Sequence, residues 1–201
     1  SLQNSGSING TTAGILNNVG SSIGALRNTG VISGQTGVSL RGASTTLTNT
    51  GTIIGSGGTA ISIANSASTI ILGTGSNVQG TINAGTTAST VELQGTPTLG
   101  TLAPINLPTG TLMNQGTLSG QSYGIVNATT IGAFAANADV LVSLAVLRNS
   151  GTLSGTKAAL LNNGSVGTLA NSSLISGNGT GIINQNNIGG VGNSGTIIGT
   201  F

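Results

Sequence analysis

Residues 147–155 read L-R-N-S-G-T-L-S-G, and the same phrase returns throughout the chain. It is L-Q-N-S-G-S-I-N-G at 2–10, L-R-N-T-G-V-I-S-G at 26–34, and L-T-N-T-G-T-I-I-G at 47–55. It is L-M-N-Q-G-T-L-S-G at 112–120, L-A-N-S-S-L-I-S-G at 169–177, and V-G-N-S-G-T-I-I-G at 191–199. The consensus is L-x-N-[ST]-G-T-[IL]-x-G. Repetition at a fixed period of a few tens of residues decides architecture before local propensity does.

Between residues 47 and 112 two degenerate copies are placed with Leu72 and Leu93 in the leading position. Successive leading positions then lie close to 22 residues apart, except for a step of 35 between Leu112 and Leu147. The tetrapeptide at 131–134, I-G-A-F, resembles I-G-A-L at 23–26. That match puts Phe134 in the leading position and makes residues 135–147 an insertion off the coil. Without those 13 residues the mean period is 22.

Each period divides into three short apolar segments. The first carries Ile8, Ile32, Ile53, Leu118, Leu153, Ile175 and Ile197; the second carries Ile15, Val38, Ile61, Ile125, Leu160 and Ile182. The third is the I-x-x-L close, as at 166–169 and 188–191. Apolar residues alternate over short runs bounded by Gly, Asn and Ser, which is strand-and-turn patterning and not a 3.6-residue helical period. Three short strands per turn of about 22 residues describe an all-β, parallel β-helical solenoid of about nine rungs. With rungs ~4.8 Å apart it is a rod on the order of 40–45 Å long. Ile32, Ile53 and Leu153 are expected in one inner column.

The repeated Asn (Asn4, Asn28, Asn49, Asn114, Asn149, Asn171, Asn193) falls at a strand-to-strand corner. There Asn tolerates unusual backbone and bonds locally, and stacked copies can form a ladder. The recurring Gly supply turns that a Cβ would obstruct. Pro97, Pro104 and Pro108 cannot donate to a ladder, so corners or an outward loop are expected at 95–110.

Composition agrees with a narrow core and an uncharged surface. The 201 residues include 36 glycines, only 3% are charged and 1% aromatic, and mean hydropathy is +0.33. The apolar share of 36% is nearly all aliphatic and too high for a disordered chain. Ser, Thr, Asn and Gly must solvate the outside. Arg27, Arg41, Arg148 and Lys157 stand against Glu92 and Asp139; four scattered bases make no patch, so nucleic acid is not an expected partner. There is no cysteine, hence no disulfide or thiolate site. The chain begins inside a repeat and ends two residues after one, so it is expected to be a single β-helix segment, residues 1–201, of a larger protein. The longest apolar run, 133–147, is too short and polar to span a bilayer.

Residues 135–147, A-A-N-A-D-V-L-V-S-L-A-V-L, depart from the coil grammar. Asn137 or Asp139 could cap a short helix, while alternating Val140, Val142, Leu144 and Val146 argue for a strand. The expectation taken forward is a helix or hairpin lying against the rod. Its apolar residues either pack on the coil or present a patch to a partner. Val140, Leu141, Val142 and Leu144 are the candidate partner contacts.

Catalysis is not expected. A glycan hydrolase or lyase needs clustered carboxylates, and this chain has one Glu and one Asp, with no His for a triad or metal site. Calcium-binding repeats need an Asp in every turn. No cofactor or metal is implied. A competing class is an ice-binding solenoid: Thr52, Thr81, Thr117, Thr152 and Thr196 suggest a Thr column, interrupted at Ser7 and Val31.

The L-x-N-[ST]-G-T-I-x-G…G-I-x-N pattern resembles the passenger region of bacterial autotransporters, the type V secretion adhesins. The stretch 68–85, S-T-I-I-L-G-T-G-S-N-V-Q-G-T-I-N-A-G, with S-T-V-E-L after it, resembles the spacers of such passengers. The resemblance covers the chain outside 135–147 and carries no transferable functional residues. It implies a right-handed β-helix at the cell surface, attached to an outer-membrane barrel, that mediates adhesion or cell–cell self-association or acts as a display stalk. The partners implied are a host or neighbouring-cell surface, protein or glycan, or a second copy. Alternatives are the ice-binding solenoid, a non-catalytic part of a secreted glycan-acting enzyme, and a phage tail fibre.

Overall fold

A computed structural model describes residues 1–85, 87–99, 105–120, 123–127 and 138–200. The chain winds as an all-β parallel solenoid, and every strand pairing among the described residues is parallel. Each strand lies on its equivalent one turn away. On the first face Leu2, Leu26, Leu47, Ile70, Val91, Leu112, Leu147, Leu169 and Val191 stack in register. From Leu26 to Leu169 the members of this column are fully buried. Each stabilises the fold by roughly 1.5–3 kcal/mol, the value of burying a branched aliphatic side chain.

The second face stacks Ile8, Ile32, Ile53, Val78 and Leu99. It continues in a separate four-stranded sheet through Leu118, Leu153, Ile175 and Ile197. Ile32, Ile53 and Leu153 are all buried, but Leu153 belongs to the second of these two runs. The third face begins Ile15, Val38, Ile61, Ile82, Ile105. The coil makes about seven turns at ~22-residue spacing, slightly fewer than the nine rungs expected. Nine strands stack on the first face, and the strands at 123–127 and 138–149 stack out of chain order.

The out-of-order winding corrects the insertion reading. Residues 138–147 form neither a helix nor a hairpin beside the rod. They belong to the strand Ala138–Asn149 and lie within the sheet. Its first half pairs Val142 with Ile105 on one side and with Asn127 on the other. Its second half puts Leu147, not Phe134, in the leading column between Leu112 and Leu169. Phe134 and residues 135–137 fall outside the described residues. The strand Tyr123–Asn127 precedes 138–144 in sequence, yet stacks beyond it and pairs onward with Ala158–Asn162. The apolar alternation at 140–146 is thus the period of a strand inside a sheet.

A smaller expectation shifts as well. Leu72 and Leu93 do not lead their rungs. Ile70 and Val91 do, and the two leucines fill the position that Asn49 and Asn114 hold on the neighbouring turns. Of the two alternatives at 95–110, corners or an outward loop, the described residues show corners between strands. Thr98–Leu99 and Ile105–Asn114 are strands of the stack, and Pro108 sits where the second of these shifts register, between Leu107 and Thr111. Pro97 lies at a corner, and Pro104 is outside the described residues.

The corner asparagines form buried ladders. Asn4 donates to Asn28 Oδ1 at 2.8 Å and Asn28 to Asn49 Oδ1 at 2.7 Å. Asn49 then donates to Ser76 Oγ at 2.6 Å, because Leu72 takes the next Asn position. A second ladder runs Asn114, Asn149, Asn171, Asn193, each link 2.8 Å. The same amides reach strand carbonyls one turn on, such as Asn28 to Thr52 at 3.1 Å and Asn149 to Leu174 at 3.0 Å. Below Asn114 stands Leu93, and Asn114 Oδ1 has no partner.

Candidate functional site

The four residues singled out as partner contacts, Val140, Leu141, Val142 and Leu144, are brought together on one strand segment. Val140, Leu141 and Val142 pair with Ile125, Val126 and Asn127; Val142 and Leu144 pair with Ile105 and Leu107. Val142 has a described strand on each side, while Val140 and Leu141 are paired on the 123–127 side and Leu144 on the 105–107 side. Their side chains are outside what the structure describes.

The threonine column is also redrawn. Thr81 pairs with Thr59 on the third face, and Asn77 is the partner of Thr52. Leu174 separates Thr152 from Thr196. A column absent from the sequence reading exists instead on the first face, where Thr46, Thr69, Thr90 and Thr111 stack without interruption. Two residues along each strand, the parallel row reads Thr48, Ile71, Glu92 and Met113, so the threonines are not doubled.

That parallel row is the outward column of the first face: Gln3, Arg27, Thr48, Ile71, Glu92, Met113, Arg148, Ala170 and Gly192. Glu92 accepts a hydrogen bond from Gln94 Nε2 at 2.7 Å. Beyond Arg148 the side chains shrink to Ala170 and then to Gly192, and the surface sinks into an open groove of about 480 Å³. Arg148 is exposed on its floor row, with half-buried Met113 behind it. Ser150, Ser172 and Ser194 stand along one side, one per turn.

Each of these serines is exposed, and each donates its hydroxyl to the corner carbonyl one turn back: Ser150 to Asn114, Ser172 to Asn149 (both 3.3 Å) and Ser194 to Asn171 (3.5 Å). These contacts are long, and each carbonyl already accepts the serine's own backbone N–H at 2.8–2.9 Å, so the exposed hydroxyls can donate or accept toward the groove. The groove thus offers an exposed cation, a row of hydroxyls spaced by the inter-strand distance of about 4.8 Å, and a floor that carries little side chain beyond Arg148. The sequence carried a signal for it at the second repeat position, which reads M, R, A, G in L-M-N, L-R-N, L-A-N and V-G-N. Only the stacking order shows that these four are neighbours.

Among the described residues no group of three or more His, Cys, Asp or Glu comes together. No family model, no curated protein and no solved structure matches the chain.

Proposed function

We propose that this chain is a structural and adhesive segment of a surface-exposed bacterial passenger protein of the autotransporter kind. It carries a contact surface away from the cell, or joins cells by side-to-side association of like rods. The observation that supports this most is the unbroken first face. Nine parallel strands hold one another in register over roughly 40 Å of axis at a strand spacing of 4.8 Å, sealed by amide ladders and not by a wide core. Quasi-one-dimensional stacks of this kind build from neighbour to neighbour. A chain with no cysteine and six charged side chains has little that would hinder export before folding. The stacked Thr46, Thr69, Thr90 and Thr111 and the exposed Ser150, Ser172 and Ser194 are suited to many weak contacts.

The test is display of the chain at the surface of a non-aggregating bacterium, with sedimentation of the purified protein alongside. Cells that label with antibody and settle or adhere faster, together with an elongated particle in solution, are the expected result. Unaltered settling and adhesion of labelled cells would overturn the adhesive role, and a compact particle would overturn the stalk.

The stacked Thr46, Thr69, Thr90 and Thr111 favour a second reading, ice binding, because evenly spaced threonines on a rigid face are what that function needs. Thermal hysteresis at millimolar protein would support it, and unshaped ice crystals would remove it.

A further inference from the structure

The groove beside Arg148 points to a ligand class. Its one cation selects an anion, and a guanidinium offers a planar fork that matches a carboxylate or sulfate with two parallel hydrogen bonds. Only Met113 and Ala170 flank Arg148 along its column, and the carboxylate of Glu92 is two strands away and already engaged by Gln94. The serine row adds hydroxyls that donate or accept, which suits a ligand that itself carries hydroxyl groups. Ala170 and Gly192 leave the floor bare, and a flat ring can lie on it. An extended peptide would instead need unpaired backbone to zip onto, and the strands bearing Met113, Arg148 and Ala170 are paired on both edges.

From this geometry we infer that residues 113, 148–150, 170–172 and 192–194 form a binding groove for an acidic oligosaccharide. Its carboxylate or sulfate sits on Arg148, and its hydroxyls hydrogen-bond with Ser150, Ser172 and Ser194. The inference deepens the adhesive reading by naming what the surface holds. The ladder amides Asn149 and Asn171 are spent on one another and on backbone carbonyls, so they shape the wall without reading the ligand.

Gly192 gives a clean probe. A Cβ built there meets nothing within 4 Å, and the residue is not in the left-handed region, so Gly192→Leu should fold normally and fill the groove. The experiment is an amide-shift NMR titration of the whole 201-residue chain with an oligogalacturonate tetramer, a heparin-derived tetrasaccharide, neutral maltotetraose and a tetraglutamate peptide. Expected are saturable shifts centred on residues 148–150, 170–172 and 192–194 with the two acidic sugars and no saturation with maltotetraose. The acidic-sugar affinity should fall about tenfold in Arg148→Gln, the loss of one charge-assisted contact, and disappear in Gly192→Leu, with unfolding midpoints unchanged in both.

No shifts with either acidic sugar, equal binding of maltotetraose, indifference to Arg148→Gln, or tetraglutamate binding as well as the sugars would each overturn the inference. The adhesive reading is scored separately, by cell settling. Displayed Gly192→Leu cells that still aggregate while the sugar no longer binds leave rod–rod association standing; an unmodified chain that binds sugar without changing settling or adhesion leaves the groove standing alone.

Discussion

Asn28 Nδ2 donates to Asn49 Oδ1 across 2.7 Å, and neither residue exposes any surface. The link is one step of a ladder in which Asn28 also accepts from Asn4. Asn28→Ala removes both ladder bonds and those to the Gly30 and Thr52 carbonyls; Asn4 Nδ2 keeps the Val31 carbonyl, but Asn49 Oδ1 is left a buried acceptor without its donor. Leaving a buried polar group unpaired costs about 1–3 kcal/mol, so Asn28→Ala is expected to lower stability by roughly 2–4 kcal/mol once its own lost packing is included. Urea unfolding reads this as a lower midpoint at unchanged slope. A loss below about 0.5 kcal/mol would show that the ladder is ornamental.

Asn17 is the opposite case. It is 1% exposed, neither its amide nitrogen nor its oxygen has a partner, and its stacking neighbours on the next two turns are Leu40 and Ile63. Asn17→Leu continues an apolar column and removes a desolvated amide, and is expected to raise stability by about 1–3 kcal/mol, the cost of an unsatisfied buried group. The same urea measurement checks it. A lower midpoint would mean that the site is too tight for a leucine, beneath Gly42, whose Cα region lies close to the Asn17 amide.

The period, the three-faced coil, the inner columns and the asparagine corners were legible because each residue type there answers to its own strand. What was not legible was the order and phase in which strands stack. Ile70 and Leu72, or Val91 and Leu93, are both apolar and two apart. A shift of two residues keeps the same set facing inward, so neither phase violates any local pattern. The same ambiguity put Thr81 in the wrong column and hid the row Thr46, Thr69, Thr90, Thr111. The period does set Arg148, Ala170 and Gly192 on adjacent turns, but only the structure shows that the surface sinks there. The strand at 138–144 could not be placed because alternation reports that a segment is a strand, but not between which neighbours it lies.

The turn glycines are fixed by stacking and not by backbone conformation. Gly6, Gly30 and Gly51 occupy one repeat position, and none has a left-handed φ. A Cβ on Gly51 would overlap the Gly30 carbonyl oxygen one turn below, while a Cβ on Gly6, which has no described turn beneath it, meets nothing within 4 Å. Gly51→Ala is therefore expected to cost about 1–3 kcal/mol, the range for forcing atoms into a packed site, and Gly6→Ala close to nothing. Thermal or urea unfolding of the two variants compares them directly. Equal losses would return the explanation to chain flexibility.

The reversed stacking of 123–127 and 138–144 makes a prediction that chain order alone would not. On the third face Val142 is the register partner of Ile105, and Ile125, the partner of Val140, lies two strands from Ile105 and two residues out of register with it. Neighbouring strands are about 4.8 Å apart, inside the Cα separation of roughly 4.4–6.8 Å that a disulfide spans, whereas next-nearest strands at about 9.6 Å are beyond it. The chain has no cysteine of its own, so paired substitutions report without background. Ile105→Cys with Val142→Cys is expected to oxidise to an intramolecular disulfide, seen as a faster band on non-reducing gels and a loss of two mass units on intact mass spectrometry. Ile105→Cys with Ile125→Cys is expected to stay reduced under the same mild oxidant. The converse result would place 123–127 directly on the strand of Ile105, with residues 138–144 outside the rod as the length of the period first suggested, and would free Val140, Leu141, Val142 and Leu144 to act as a contact patch.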